Sequence, residues 1–191
     1  MIKIAVLGDI GAGKSFVSKQ FNCPLFNADK EVAEIYKYDR SCYLKIKKAL
    51  PKYIISDQLD KKFLLKAVLD SKNNLKKISK IVHPIVRTRM NKFLTKNRMK
   101  KLVVLDIPLY LENKLNKRGD VLIFVDAKRK DIQKRLKNRK YFSEKIHKKL
   151  KSLHLPLRKK RKLSNFVIKN TFNASKIQND VKKIKTKILK I

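Results

Sequence analysis

Glycine is scarce in this chain and unevenly spread: of four glycines in 191 residues, Gly8, Gly11 and Gly13 crowd into one short stretch, leaving Gly119 elsewhere. Backbone freedom of the kind only glycine supplies is therefore concentrated on one turn. Cysteine is scarcer still. Cys23 and Cys42 stand apart, neither in a C-x-x-C pair nor near a histidine at metal-ligand spacing. That excludes a disulfide framework and a zinc site, and both thiols read as ordinary reduced ones. No apolar run is long enough to span a bilayer, which excludes a membrane-spanning helix. The apolar stretch at residues 2–7 runs straight into a glycine motif with no cleavage site, so it does not read as a signal peptide, and the expected location is the cytoplasm.

Acidic residues are also few: 15 Asp and Glu against 51 Lys and Arg, a formal net charge of +36. A charge of this size implies non-specific, salt-sensitive affinity for nucleic acid whatever the biological role. The basic residues run through the whole chain instead of forming one stripe beside aromatic platforms, which favours a compositional bias over a dedicated nucleic-acid surface. Hydrophobic residues make up 43% of the chain, enough for a real core, and the length suits one α/β domain with a helical insertion. Monomer and small homo-oligomer are both compatible with that size.

What is present reads as alternating strands and helices. Residues 2–7 (IKIAVL), 102–105 and 121–125 are short apolar runs of the kind buried on both faces of a parallel sheet, and residues 25–28 and 166–168 are two further strand candidates. Between residues 29 and 97 no strand pattern recurs. Apolar residues instead fall three and four apart, predicting several helices, with Pro84 expected to begin the one carrying Arg87 and Met90. Residues 130–139 are helical by pattern, residues 143–153 follow with Ser143 as cap, and a last helix places Ile177, Val181, Ile184 and Ile188 on one face. The fold class expected is α/β, a doubly wound five-stranded parallel sheet.

The sharpest signal is Gly8-Asp9-Ile10-Gly11-Ala12-Gly13-Lys14-Ser15, which fits G-x-x-x-x-G-K-[ST] directly after a strand and before a helix. The glycines let backbone N–H groups converge on one phosphate, and the helix start adds partial positive charge. In such a loop Lys14 reaches the β- and γ-phosphates and Ser15 offers a hydroxyl to Mg²⁺. Asp106, closing an apolar strand, stands where such proteins keep the acid that holds Mg²⁺ through water. A D-x-x-G switch and an N-K-x-D guanine-reading motif are both missing, which argues against a GTPase, and an ATP-driven motor needs far more chain. A compact kinase remains.

Along nearly the whole chain the residues resemble the dephospho-coenzyme A kinase family. The resemblance is carried by the loop at residues 8–15, Asn27-Ala28-Asp29, His83-Pro84-Ile85-Val86-Arg87, and Asp106-Ile107-Pro108-Leu109-Tyr110-Leu111-Glu112, in that order. It continues in Arg135-Leu136-x-x-Arg139, Pro156-Leu157 with Lys160, and Val167-Ile168-Lys169-Asn170. The resemblance implies transfer of the ATP γ-phosphate to the ribose 3′-hydroxyl of dephospho-coenzyme A, with ATP and that acceptor as small-molecule substrates, Mg²⁺ as the metal and no membrane. It implies a P-loop kinase domain over residues 1–191 with an inserted helical acceptor-binding subdomain at 30–97 and a basic helical lid at 140–163.

By the same resemblance Asp29 is the catalytic carboxylate, assisted by Lys14. Gly8, Gly11, Ala12, Gly13, Lys14, Ser15, Phe16, Arg139 and Asn170 bind ATP. His83, Arg87, Leu109 and Glu112 meet the acceptor, Arg135 and Arg139 serve the lid and phosphates, and Ser15 and Asp106 hold the metal. Helix spacing puts Arg135 and Arg139 on one face, suited to stacking on adenine or bridging leaving phosphates. The chain departs from the family's pattern at Leu7, Asn27, Asp9, Phe16, His154, Asn165 and Lys169, and Gln133 sits one place out of register. The alternatives are another P-loop nucleoside or nucleotide kinase, or a basic P-loop protein that binds nucleic acid.

Overall fold

A computed structural model describes residues 1–138 and 143–190, the side chain of Lys61 excepted. The most apolar runs become the three central strands of a parallel five-stranded sheet. They are β1 (Ile2–Gly8), β3 (Leu102–Asp106) and β4 (Val121–Ala127), with β2 (Leu25–Asn27) and β5 (Phe166–Asn170) at the edges, in the order β2-β3-β1-β4-β5. Every residue of β3 is buried, as are Ile4 to Gly8 along β1. Burial of consecutive residues, which point to opposite faces, requires cover on both sides. On one face Ile4, Val6, Val104 and Ile123 meet Val17 of α1 (Lys14–Gln20), Phe21 at its C-terminal end, and Ile177, Val181 and Ile188 of the last helix.

The chain divides into two compact units, Met1–Asn27 with Lys96–Ile191, and Ala28–Thr95. The second is helical: α2 (Ala28–Tyr38), α3 (Arg40–Ala49), α4 (Lys61–Asp70) and α5 (Lys72–Lys96) bury a cluster containing Ile35, Cys42, Ile46, Leu64, Ala67, Ile78 and Val82. Burial pushes the Cys42 thiol up to about 11, so it is an inert core residue. Pro84 does not begin a helix here; α5 runs through it. Proline cannot donate to the carbonyl one turn back and costs roughly 3 kcal/mol inside a helix. The apolar stripe is the compensation, because Ile78 and Val82 before Pro84 and Ile85 and Val86 after it all pack into the same cluster.

In the sheet unit, α6 (Arg129–Lys137), α7 (Glu144–Lys151), α8 (Leu157–Lys162) and α9 (Ala174–Ile188) complete the described helices. Ser143 caps α7 by accepting from Ile146 N–H at 3.4 Å, and Asn173 caps α9 through Lys176 N–H at 3.0 Å. Because all strands are parallel, their C-terminal ends share one edge. The register sets Asn27 opposite Asp106, Gly8 opposite Val125 and Asn170 opposite Ala127 along it. Strand order reverses about β1, and crevices at such switch points are where open α/β sheets take their ligands.

Candidate functional site

The loop leaving β1 is held in a shape that only its own residues allow. Gly13, the residue before α1, has φ 92° and ψ 20°, and a Cβ there would run into the side-chain amide of Asn170. Gly8 is confined differently: a Cβ on it would lie 2.7 Å from the carbonyl oxygen of Val125 on the neighbouring strand. Asn170 is buried at the end of β5, its Nδ2 donating to the Ala12 carbonyl at 2.7 Å and its Oδ1 accepting from Phe172 N–H at 2.7 Å. Asn170, expected at the nucleotide, braces the loop against β5 through these two bonds.

Lys14 Nζ donates to the carbonyls of Asp9 at 2.8 Å and Gly8 at 3.4 Å, so its ammonium sits over the loop. Ser15 and Phe16 are exposed in the first turn of α1, while Ala12 is fully buried beneath. Asp9 turns aside: Oδ1 accepts from Ile10 N–H at 2.8 Å, and Oδ2 lies 3.4 Å from Lys151 Nζ of α7. A cleft of about 320 Å³ opens beside the loop, with Asp9, Ala12, Arg129, Ile132, Lys151 and Leu157 in its lining. Along the same edge Asp106 is 3% exposed, and Asn27 Nδ2 donates to its Oδ2 at 2.6 Å. The amide at position 27 thus meets a buried carboxylate as a donor, where a second carboxylate would repel it.

Glu112 lies in the turn after β3. That turn is anchored by Tyr110, whose hydroxyl donates to Asp120 Oδ2 at 2.7 Å, and by Lys3, 2.6 Å from Asp120 Oδ1. Glu112 is not a solvated charge. Its Oε1 accepts from Lys160 Nζ at 2.6 Å and from Leu155 N–H at 2.9 Å, and its Oε2 is buried with no hydrogen-bond partner among the described residues. Burial works against its ionisation, but the Lys160 and Leu155 hydrogen bonds outweigh it and hold the carboxyl below its usual value. Lys160 Nζ is also 2.9 Å from His154 Nδ1. An ammonium can only donate, so that ring nitrogen accepts and the imidazole is neutral. Burial first, then the Lys160 charge, pushes His154 down to about 4.

Leu109 is half-buried in the same turn, and Arg135 lies exposed on α6 with its guanidinium 4.5 Å above the Phe172 ring. Arg139 lies outside the described residues, as do positions 140–142 of the expected lid. In the helical unit, Asp29 is exposed in the first turn of α2, with His83 and Arg87 exposed four apart on α5. Desolvation and then the Arg87 charge hold the His83 imidazole below its ordinary value. The structure therefore brings together the loop, Asn170, Asn27 and Asp106 along one sheet edge, and Glu112 with His154 and Lys160. Sequence reading missed the burial of Lys160, the Asp9–Lys151 contact and the place of Phe172. The one available signal was Glu112 as a counter-ion, diluted among many lysines.

A family model for dephospho-CoA kinase matches residues 2–176. The dephospho-CoA kinase of Wolbachia sp. subsp. Brugia malayi is 32% identical over 186 residues, covering 95% of each chain. A crystallised Thermus thermophilus protein superposes with a TM-score of 0.79 at 25% identity, over 97% of both chains. The dephospho-CoA kinase of Campylobacter jejuni shares the fold, with a TM-score of 0.66 at 20% identity over 97% of this chain and 96% of that one.

Proposed function

The chain belongs to the dephospho-CoA kinase family, and from that membership we propose that it transfers the γ-phosphoryl group of ATP to the ribose 3′-hydroxyl of dephospho-CoA, releasing ADP and coenzyme A. The observation that carries this reading is the loop at residues 8–15. Its glycines are packed too closely for side chains, Asn170 braces it, and the ammonium of Lys14 lies across it. On nucleotide binding Lys14 exchanges the Asp9 and Gly8 carbonyls for phosphate oxygens, and the backbone amides of Gly11, Gly13, Lys14 and Ser15 close around the β-phosphate.

Magnesium suits the residues present. It prefers hard oxygen ligands, few of them from the protein and the rest from phosphates and water. The Ser15 hydroxyl and the Asp106 carboxylate are of that kind. When bound, the ion neutralises charge on the β- and γ-phosphates.

Asp29 serves as the base, accepting the proton of the 3′-hydroxyl as the oxygen attacks. His83 and Arg87 take the acceptor's diphosphate, for which a guanidinium fork is well suited. Leu109 and Glu112 bound the acceptor. Arg135 and Arg139 act on the nucleotide side. Residues 30–97 form the acceptor subdomain and residues 140–163 the lid. Among the described residues no helix is long and apolar enough to cross a membrane; the place of work proposed for a kinase that draws on ATP is the cytoplasm.

A coupled ADP-release assay over a panel of acceptors tests the reading. ADP release is expected with dephospho-CoA and Mg²⁺, and Asp29→Asn should lower kcat while KM for ATP is kept. Release driven by adenosine or a nucleoside monophosphate instead would make the protein a nucleoside or nucleotide kinase. No release, with nucleic-acid binding that survives high salt, would make it a nucleic-acid binder.

A further inference from the structure

Basic residues run through the whole sequence, but the fold gathers five of them at the free edge of the sheet. A groove of about 400 Å³ runs between β5, α8 and α9. Arg161, Lys169, Lys176, Lys183 and Lys187 line it, with Asp180 the one acid among them. All five cations are exposed, whereas Asp180 is half-buried. The helix period explains the stripe. Ile177, Val181 and Ile188 turn one side of α9 into the core, and Lys176, Asp180, Lys183 and Lys187, spaced at helical intervals, fall on another. With a rise of 1.5 Å per residue, the three lysines of α9 spread over about 16 Å. Arg161 is partly committed, its Nη1 lying 2.8 Å from Asp126 Oδ2. Among the described residues none of the four lysines has a carboxylate within 4.0 Å. Lys169 is also a position at which the chain departs from the family's pattern, so this charge belongs to the individual chain and not to the kinase reaction.

We propose that this groove is a docking surface for the phosphodiester backbone of single-stranded nucleic acid, bound through charge and without reading its sequence. It is a second binding function, independent of the kinase reading. What lines the groove decides the polymer. An acidic peptide would dock by pairing with the free edge of β5 or by seating apolar anchors in pockets. Lysine on an edge strand works against strand pairing. The apolar residues of the lining, Val167 and Ile184, supply no aromatic anchor. Nor does a ring face the groove for a base to stack on, so the contacts are to phosphate, which positions a strand but carries no sequence information. A volume of this order encloses a segment the size of a small molecule, a few nucleotides of one strand and not a duplex. Each ammonium that neutralises a phosphate releases counterions, which is where the affinity comes from.

The test is fluorescence anisotropy with a labelled oligo-dT strand over a salt series. One triple variant carries Lys176→Gln, Lys183→Gln and Lys187→Gln. A control triple removes the same charge from exposed lysines of α3 and α4, with Lys45→Gln, Lys48→Gln and Lys66→Gln. The groove triple should flatten the slope of log affinity against log salt by about 2 and weaken binding about a hundredfold at about 0.1 M salt, since each contact to a single strand adds about 0.7 to the slope. Lys169→Gln alone should flatten it by about 0.7 and serves if the triple is insoluble. The control triple should keep the wild-type slope, and ADP release with dephospho-CoA should be unchanged in every variant. Equal flattening in both triples would overturn the proposal, making the affinity a property of charge spread over the surface. Wild type that leaves oligo-dT free at the lowest salt would overturn it as well. So would groove-dependent binding of polyglutamate tighter than that of oligo-dT, which would make the partner an acidic protein. Loss of ADP release together with oligo-dT binding would tie the groove to the kinase site and end its separate standing.

Discussion

Lys160 Nζ lies 2.6 Å from Glu112 Oε1, with Lys160 wholly buried and Glu112 nearly so. The pair fastens α8 to the turn after β3, and Leu155 N–H adds a second tie to the same carboxylate oxygen. A lysine in the most basic stretch of the chain, where α8 reads Leu-Arg-Lys-Lys-Arg-Lys, is thus an interior residue.

Breaking such a pair from one side strands a charge in the interior, which costs about 3–5 kcal/mol. Lys160→Met is therefore expected to lower the denaturant midpoint sharply, while Lys160→Met with Glu112→Gln recovers most of the loss, since the double variant carries no unpaired charge. Equilibrium urea unfolding of the two variants and wild type measures this. A single variant as stable as wild type would show that the ion pair does not form.

His154 makes the same cluster sensitive to acid. Its folded value is pushed from the ordinary 6.5 to about 4, so between those values the unfolded chain binds a proton that the folded one does not. Stability then falls as pH drops through that window, by a total on the order of 3 kcal/mol. Glu112, held below its usual value, adds a loss in the same direction at lower pH, because its contribution is present above the unfolded value and disappears as the folded carboxyl is protonated. His154→Gln keeps an acceptor for Lys160 and removes the titration. Its melting temperature should be flatter between pH 6.5 and 4 than that of wild type, and parallel profiles would discount His154.

Asn27 donating to Asp106 at 2.6 Å bears on metal handling. Asn27→Asp would set a second carboxylate against a buried one, and two such charges at hydrogen-bond distance cannot both ionise without a cation. The variant is expected to be about 1–3 kcal/mol less stable in chelator, to regain stability on adding Mg²⁺, and to reach half-maximal rate at lower Mg²⁺ than wild type. Thermal melts with and without Mg²⁺ and a Mg²⁺ titration of the rate check the three outcomes. A variant whose stability ignores Mg²⁺ would remove Asp106 from the metal site.

Much of the frame was legible because it rests on local pattern. Apolar runs marked strands buried on both faces, the loop motif marked the edge where ligands bind, and Ser143 and the Ile177–Val181–Ile188 face marked helices α7 and α9. Pro84 misled because a local rule lost to long-range packing: the stripe on both sides of it is worth more than one lost hydrogen bond. Lys160 was hidden because composition cannot tell one buried lysine from its exposed neighbours when the partner is distant in sequence. Phe172 was hidden because backbone dihedrals outside glycine leave no mark in the sequence. Asn165, a departure from the family's acid, turns out to be mild: its Oδ1 accepts from Leu122 N–H at 2.8 Å, work that an amide oxygen does as well as a carboxylate.

Asp9 is the departure with the clearest functional consequence. It stands inside the phosphate loop with its side chain 14% exposed, and Lys151 3.4 Å away offsets the charge. A triphosphate in the loop would face that carboxylate at close range, a repulsion that the partly exposed lysine screens incompletely. Asp9→Asn keeps an oxygen to accept from Ile10 N–H and removes the charge, so the loop should keep its shape. The expected result is a fall in KM for ATP of about threefold at low ionic strength, shrinking towards no change near 1 M salt, where the Debye length is only about 3 Å. KM for dephospho-CoA should move less. A rise in KM for ATP at every salt concentration would mean that the Asp9–Lys151 contact organises the site, and that its loss outweighs the relief of repulsion.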